Sequence, residues 1–306
     1  MLARCPASAR IDALYMLFSG ERTMQIKTIG VVGAGTMGNG IAQAFAVAGH
    51  AVVMTDVVQA ALDKGLKNVD GSLERLVKKE KMSAADKATA LGRITTSTKL
   101  DALGDVDLVI EAATENLSLK LDIFAKLDAA AKAGAIIASN TSSISITKLA
   151  AATKRPAQVI GMHFFNPVPV MQLVELIRGL QTSEETYAAT EAITKAVGKV
   201  PVQVKNSPGF VVNRLLCPMI NEAVFALGEG LATPQQIDDA MRLGCNHPIG
   251  PLALCDLIGV DVELAVMQVL FEGFKDSKYR PAPLLVEMVE AGYLGRKTGR
   301  GFYNYG

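Results

Sequence analysis

The sequence predicts an α/β domain followed by a smaller all-helical domain, on three observations. Short apolar, β-branched runs recur through the first two thirds of the chain and end in small or polar residues, as strands buried in a parallel sheet do. The first of them turns through Gly33-Ala34-Gly35-Thr36-Met37-Gly38 into an Ala-rich segment. Beyond NSPG (206–209), a turn signal, such runs give way to long segments with helical periodicity. The predicted organisation is an extension over residues 1–24, an α/β domain over 25–206 and a helical domain over 207–306.

Size and charge agree with this plan. At 306 residues the chain can build two cores, and Lys plus Arg, 31, nearly cancel Asp plus Glu, 30. That balance offers no basic face for nucleic acid. The cysteines at 5, 217, 245 and 255 form no CxxC pair, so a reducing cytoplasm is expected. Cys245 and His247 stand close without a second ligand pair, so no metal site is expected. In MLARCPASARIDALYMLFSGERT the apolar segment LYMLF is too short for a secretory signal. A start codon assigned upstream of Met24 is the favoured reading of this extension, with a transit peptide as the alternative.

The first definite element is KTIGVVGAGTMGNGIAQAFAVAGHAVVMTD: strand, glycine turn, helix, strand. A GxGxxG set between a strand and a helix, with a carboxylate about 20 residues on, marks a Rossmann-like dinucleotide-binding domain. Gly33 makes the tight turn, Gly35 lets the backbone approach a pyrophosphate, and Gly38 permits close helix packing. The helix start at Thr36 and Met37 then offers N–H groups to the phosphates. Asp56 ends the second strand, where a carboxylate accepts from ribose hydroxyls and repels a 2′-phosphate, so NAD is expected over NADP. The competing reading of Asp56 is a simple helix cap.

The alternation continues with a helical stretch GSLERLVKKEKM (71–82) and a strand in DVDLVIEAATEN (105–116). A helix follows in LSLKLDIFAKLDAAAKAG, stopping at Gly134, and then a strand in AIIASNTSSISI (135–146). Glu115, Asn140, Ser142 and Ser143 fall at C-terminal strand ends, where ligands collect in such sheets. AQVIGMHFFNP is another strand, which carries His163 and Asn166 to the same side. The chain can turn at Pro167 and Pro169 and return along VMQLVEL, so that Glu175 faces His163 across neighbouring strands. The pair is then a carboxylate-oriented imidazole for general base catalysis. A membrane span is excluded: no Asp, Glu, Lys or Arg occurs from Pro156 to Val174, but two prolines and several amides interrupt the run.

The helical half reads as VVNRLLCPMINEAVFALGEG, TPQQIDDAMRLG, LALCDLIGVDVELAVMQVLFEGF and APLLVEMVEAG. Thr233 as cap with Pro234 at the first helical position is a regular helix start. Asn213, early in the first of these segments, is able to point into the cleft. Apolar helices of this kind commonly bury themselves against a second copy, so a homodimer is expected.

From Met24 to Gly306 the chain resembles the 3-hydroxyacyl-CoA dehydrogenases of fatty-acid and butyrate metabolism. The blocks that carry the resemblance are VGAGTMG, ENLSLK, SNTSSISIT, GMHFFNPVPVMQLVE, SPGFVVNRLL, HPIGPLALCDLIGVD and GRKTGRGFYNY, while DSKYRPAPLL is most similar to the bacterial short-chain branch. The resemblance implies NAD as cofactor, an acyl-CoA substrate, His163 as catalytic base and Glu175 as its partner. It implies substrate contacts for Ser142 and Asn213, a place lining the cleft for Asn166, NAD contacts for Glu115, Lys120 and Lys297, and coenzyme A contacts for Ser72 and Lys79. NSPGF in place of the more usual DTPGF, and DVVQAAL after the ribose carboxylate, depart from the family pattern. The expected reaction is reversible oxidation of an (S)-3-hydroxyacyl-CoA, with a β-hydroxyacid dehydrogenase and a non-catalytic NAD-binding protein as alternatives. The histidine argues against the first, which uses a lysine, and the full residue set against the second.

Overall fold

The computed structural model describes residues 24–306, so the expectations about residues 1–23 lie outside the described residues. The strands are β1 (Thr28–Val32), β2 (Ala51–Thr55), β3 (Ile94–Ser97), β4 (Leu108–Glu111), β5 (Ile136–Ser139), β6 (Val159–Phe164), β7 (Leu173–Arg178) and β8 (Val200–Lys205). They form one sheet in the order β3-β2-β1-β4-β5-β6-β7-β8. The first six run parallel, so the strand order reverses between β1 and β4 and opens the crevice where a doubly wound sheet receives its ligand. β7 runs antiparallel to β6 because the loop 165–172 is too short for the crossover a parallel partner needs. That register sets His163 directly opposite Glu175.

Helices α1 (Thr36–Val47), α2 (Gln59–Lys78), α3 (Ala84–Gly92), α4 (Leu117–Ala130), α5 (Ile146–Ala150) and α6 (Glu184–Ala196) accompany the sheet. One apolar layer gathers Ile41, Phe45, Leu62, Leu73 and Ile193 against one face; Phe124, Leu127, Ile146 and Leu149 build the other. Helices α7 (Val212–Gly228), α8 (Pro234–Gly244), α9 (Pro251–Ile258), α10 (Val260–Phe274) and α11 (Pro283–Glu290) bury their own cluster, from Cys217 to Met288. No helix of the described residues is long and apolar enough to cross a membrane.

Several elements differ from the sequence expectation. The helix expected to stop at Gly134 ends at Ala130: Ala131 turns extended, the Lys132 N–H goes to the Gly104 carbonyl at 3.0 Å, and Gly134, at φ +86°, serves the turn into β5. The long segment LALCDLIGVDVELAVMQVLFEGF is two helices, split at Gly259, whose φ of +114° breaks the helical path. Strand β3, α3 and α6 were not expected at all. In α8 the anticipated cap is present and complete: Thr233 and Gln236 exchange the reciprocal bonds of a capping box, with Pro234 at the first position.

Candidate active site

The glycine turn supplies the first wall of the site. Gly33 holds φ +98°, and a Cβ there would lie 2.7 Å from the Ala112 carbonyl oxygen. A Cβ on Gly38 would fall 1.8 Å from the Gly33 oxygen, so α1 reaches the strand only through a glycine. Gly35 is different: a Cβ there meets nothing within 4 Å, because it would project into open space at the helix start. Gly35 caps α1 without a side-chain bond, and the first turn holds no acidic residue, so the N–H groups near Thr36 and Met37 stay available to an anion. This cradle fits a pyrophosphate.

Asp56 is not the cap of α2, whose N-cap is Val58 without a side-chain bond; its carboxylate instead braces two turns. Its Oδ1 accepts from the Val58 N–H at 3.0 Å, closing the local turn, and its Oδ2 accepts from the Ala34 N–H at 2.9 Å inside the glycine turn. The carboxylate is thereby fixed beside a cavity of about 390 Å³ lined by Gly35, Val57, Thr98, Leu119 and Ile123 among others. An apolar slot next to a fixed carboxylate has the size and lining to take an adenosine.

At the ends of β4 and β5 a polar network organises the next wall. Glu115 accepts from the Thr141 hydroxyl, from the Ser142 N–H at 3.0 Å and hydroxyl at 3.3 Å, and from the Ser143 hydroxyl at 3.1 Å. Burial raises the Glu115 carboxyl pKa, but the Lys120 charge and these donors outweigh it and hold the group below the usual carboxylate range. Lys120 lies beneath this layer, 1% exposed, with its ammonium 2.6 Å from Glu111 and 3.4 Å from Glu115. Asn140 accepts from the Phe164 N–H at 2.9 Å, tying the end of β5 to the end of β6 beside His163.

The third wall is the dyad. His163 Nδ1 lies 2.8 Å from Glu175 Oε2, both side chains are buried, and the imidazole sits between Phe165 and Phe210 with ring centroids 4.5 and 5.8 Å away. The other carboxylate oxygen, Oε1, accepts from the Val211 and Val212 N–H groups, each at 3.0 Å. Glu175 thus caps α7 from a distance and anchors the helix that carries Asn213. Phe210 takes a left-handed φ of +50° to aim those two amides. The turn signal NSPG (206–209) marks this place in the sequence but stops one residue short of Phe210.

The remaining expected residues are spread more widely. Asn166 is exposed on the loop after β6, and Asn213 is half-buried in the first turn of α7. Ser72 lies half-buried on α2 and Lys79 is exposed just past its end. Lys297 pairs with Asp261 in the helical half. Sequence reasoning missed Glu111, fully buried at the end of β4, and Lys199, whose buried ammonium donates to the Val168 and Met171 carbonyls and pins the loop after His163. Glu111 stood in plain sight in LVIEAATEN, but a carboxylate inside an apolar run carries no period of its own.

Comparison with known proteins identifies the family. Residues 28–207 match the model of the 3-hydroxyacyl-CoA dehydrogenase NAD-binding domain, and residues 209–305 match that of the 3-hydroxyacyl-CoA dehydrogenase C-terminal domain. The chain is 54% identical over 280 residues to a 3-hydroxybutyryl-CoA dehydrogenase of Bradyrhizobium diazoefficiens, covering 92% of this chain and 96% of the relative. It is 53% identical to one from Clostridioides difficile, covering 90% and 99%. The crystal structure of (S)-3-hydroxybutyryl-CoA dehydrogenase from Ralstonia eutropha superposes with a TM-score of 0.90 at 66% identity, over 92% of this chain and all of that one.

Proposed function

Because the chain belongs to the 3-hydroxyacyl-CoA dehydrogenase family, we propose that the buried His163–Glu175 pair is the general base of an NAD-dependent oxidation of (S)-3-hydroxyacyl-CoA to the 3-ketoacyl-CoA. Bound NAD supplies the hydride acceptor, and the protein orients the thioester and manages the proton. Glu175 engages Nδ1, so Nε2 is the nitrogen that takes the proton from the substrate hydroxyl and returns it in the reverse direction. The two amides on Oε1 keep the carboxylate from swinging away as charge develops on the ring. Ser142 and Asn213 hydrogen-bond the reacting oxygen or the thioester carbonyl and fix the attack geometry.

The other assignments extend the same reading. The glycine cradle at Gly33, Gly35, Thr36, Met37 and Gly38 takes the pyrophosphate, Asp56 the adenosine ribose, and Glu115 the nicotinamide side, with Lys120 acting through Glu115. Asn166 and Lys297 complete the cofactor contacts, while Ser72 and Lys79 meet coenzyme A. Residues 25–206 are the cofactor domain and 207–306 the substrate and dimerisation domain. The substrate is short-chain, 3-hydroxybutyryl-CoA, as the names of the relatives indicate for those proteins. Exposed Leu215, Leu231, Leu243, Leu257 and Val262 in the helical half support a homodimer, and the free thiols of Cys217, Cys245 and Cys255 support a cytoplasmic setting.

The observation that carries the proposal is the 2.8 Å imidazole–carboxylate contact at the end of a strand that runs parallel, in one sheet, to the strand leading into the glycine cradle. Following NADH absorbance with acetoacetyl-CoA, beside NADPH and beside free acetoacetate, tests it. Fast loss of NADH with the thioester alone is expected. Equal turnover of the free acid would remove the coenzyme A assignment, and no turnover at all would remove the base.

A further inference from the structure

We propose that Glu111 is a positioning residue for this reaction, withholding the Lys120 ammonium from Glu115 so that Glu115 stays engaged with Ser142 and open to the cofactor. This rests on the reading that Glu115 faces bound NAD. Glu111 and Lys120 are 0% and 1% exposed, while the Glu115 side chain is 39% exposed. Two carboxylates therefore compete for one buried ammonium, and the distances divide it unequally: 2.6 Å to Glu111 against 3.4 Å to Glu115.

Glu111 is held too tightly to move toward any ligand. Its Oε1 accepts from the Ala113 N–H at 2.7 Å as well as from Lys120, and its Oε2 accepts from the Ser139 hydroxyl at 2.6 Å. Ala113 also accepts from Lys120 through its carbonyl, at 3.1 Å, so the start of the loop bearing Glu115 is built around this pair. Glu115 spends one oxygen on Thr141, Ser142 and Ser143 and presents the other toward Lys120. Were the ammonium given up by Glu111, it would form its charge-assisted bond with Glu115 instead, because such bonds are stronger than those to neutral acceptors. Glu115 would then contract toward Lys120, pull away from the Ser142 N–H and hydroxyl, and accept less well from a ribose diol.

Two variants separate this role from a merely structural one. Glu111→Gln keeps the shape and removes the charge; Glu111→Asp keeps the charge and shortens the reach. Melting temperature and NADH affinity, by fluorescence titration, are measured for both, with the constants for NADH and acetoacetyl-CoA followed separately. Glu111→Gln is expected to weaken NADH binding by about tenfold, more than it changes the thioester constant. Glu111→Asp is expected to lose more thermal stability and less NADH affinity than Glu111→Gln. NADH affinity that simply follows melting temperature across the two, Glu111→Gln binding like the wild type, or Glu111→Gln failing to fold would each overturn the role. A wild type that binds no NADH overturns the cofactor reading itself, before any variant is needed.

Discussion

Glu175 and Glu263 are hidden from solvent to the same degree, 1% and 0% exposed, and their surroundings are opposite. Glu175, between the sheet and α7, has three hydrogen bonds: one from the His163 ring and two from backbone amides at a helix start. Glu263, in the first turn of α10, has no hydrogen-bond partner for either oxygen among the described residues. The Cys217 thiol lies near enough to favour the ion weakly but without hydrogen-bond geometry, and burial dominates, pushing the Glu263 carboxyl up to about 8. A buried carboxylate is costly unless it is paired or gives up its charge. The cofactor-side domain solves that problem with a network and thereby makes a site; the helical domain solves it with a proton.

The sharpest way to break this comparison is to remove the network. His163→Gln and Glu175→Gln are each expected to cut turnover by roughly 10²–10⁴-fold while leaving NADH affinity nearly intact. Glu175→Ala adds a second penalty, since it strands the Val211 and Val212 N–H groups, and its melting temperature should fall below that of Glu175→Gln. Turnover of Glu175→Gln near the wild-type rate would mean that the carboxylate is only a helix cap.

The next effect belongs to Glu263 and appears in stability rather than rate. An unfolded glutamic acid titrates near ~4.3, whereas the folded one titrates at about 8. Between those values the folded state binds the extra proton, so stability is fully present at the acid end and is lost as pH rises through the window. Glu263→Gln should flatten that slope. Above the window it should exceed the wild type by on the order of a few kcal/mol, or several degrees in melting temperature. Parallel melting curves for the two proteins from acid to alkaline pH would show that Glu263 finds a partner after all.

A smaller contrast sits inside the glycine turn. Gly35→Ala places a methyl group where no protein atom lies within 4 Å, so the protein should fold normally and bind NADH about tenfold or more weakly. Gly38→Ala drives a methyl into the Gly33 carbonyl at 1.8 Å and should lose stability first. If Gly35→Ala bound NADH as well as the wild type, the pyrophosphate would have to lie elsewhere.

The same contrast explains how much was legible in the sequence. Gly33, Gly35 and Gly38 were readable because a backbone conformation admits only one residue type, and His163 with Glu175 because strand pairing at period two places them opposite each other. Thr233-Pro234 was readable because its capping bonds are local. Glu111 and Lys120 were not assembled in advance, since their ion pair joins a strand end to the first turn of the following helix and depends on how that helix docks. Glu263 was invisible for the same reason: an acidic residue in the first turn of a helix is ordinary, and only packing shows that nothing answers it. The break at Gly259 was hidden by apolar residues on both sides, which continue the helical pattern straight through it.

The smallest expected effect tests where the cofactor domain discriminates. Asp56 uses one oxygen for Ala34 and the other for Val58, so its position is set by the turn before any cofactor arrives. Asp56→Asn keeps the size but carries no charge, and its single acceptor oxygen can serve only one of those two amides. NADH affinity should fall by severalfold through the lost ribose bonds and NADPH affinity should rise, because repulsion of the 2′-phosphate is gone. The two cofactors should therefore approach each other without NADPH winning, since no arginine stands within this turn to hold a phosphate. A ratio of NADH to NADPH affinity unchanged from the wild type would move the discrimination from the carboxylate to the shape of the slot beside Val57.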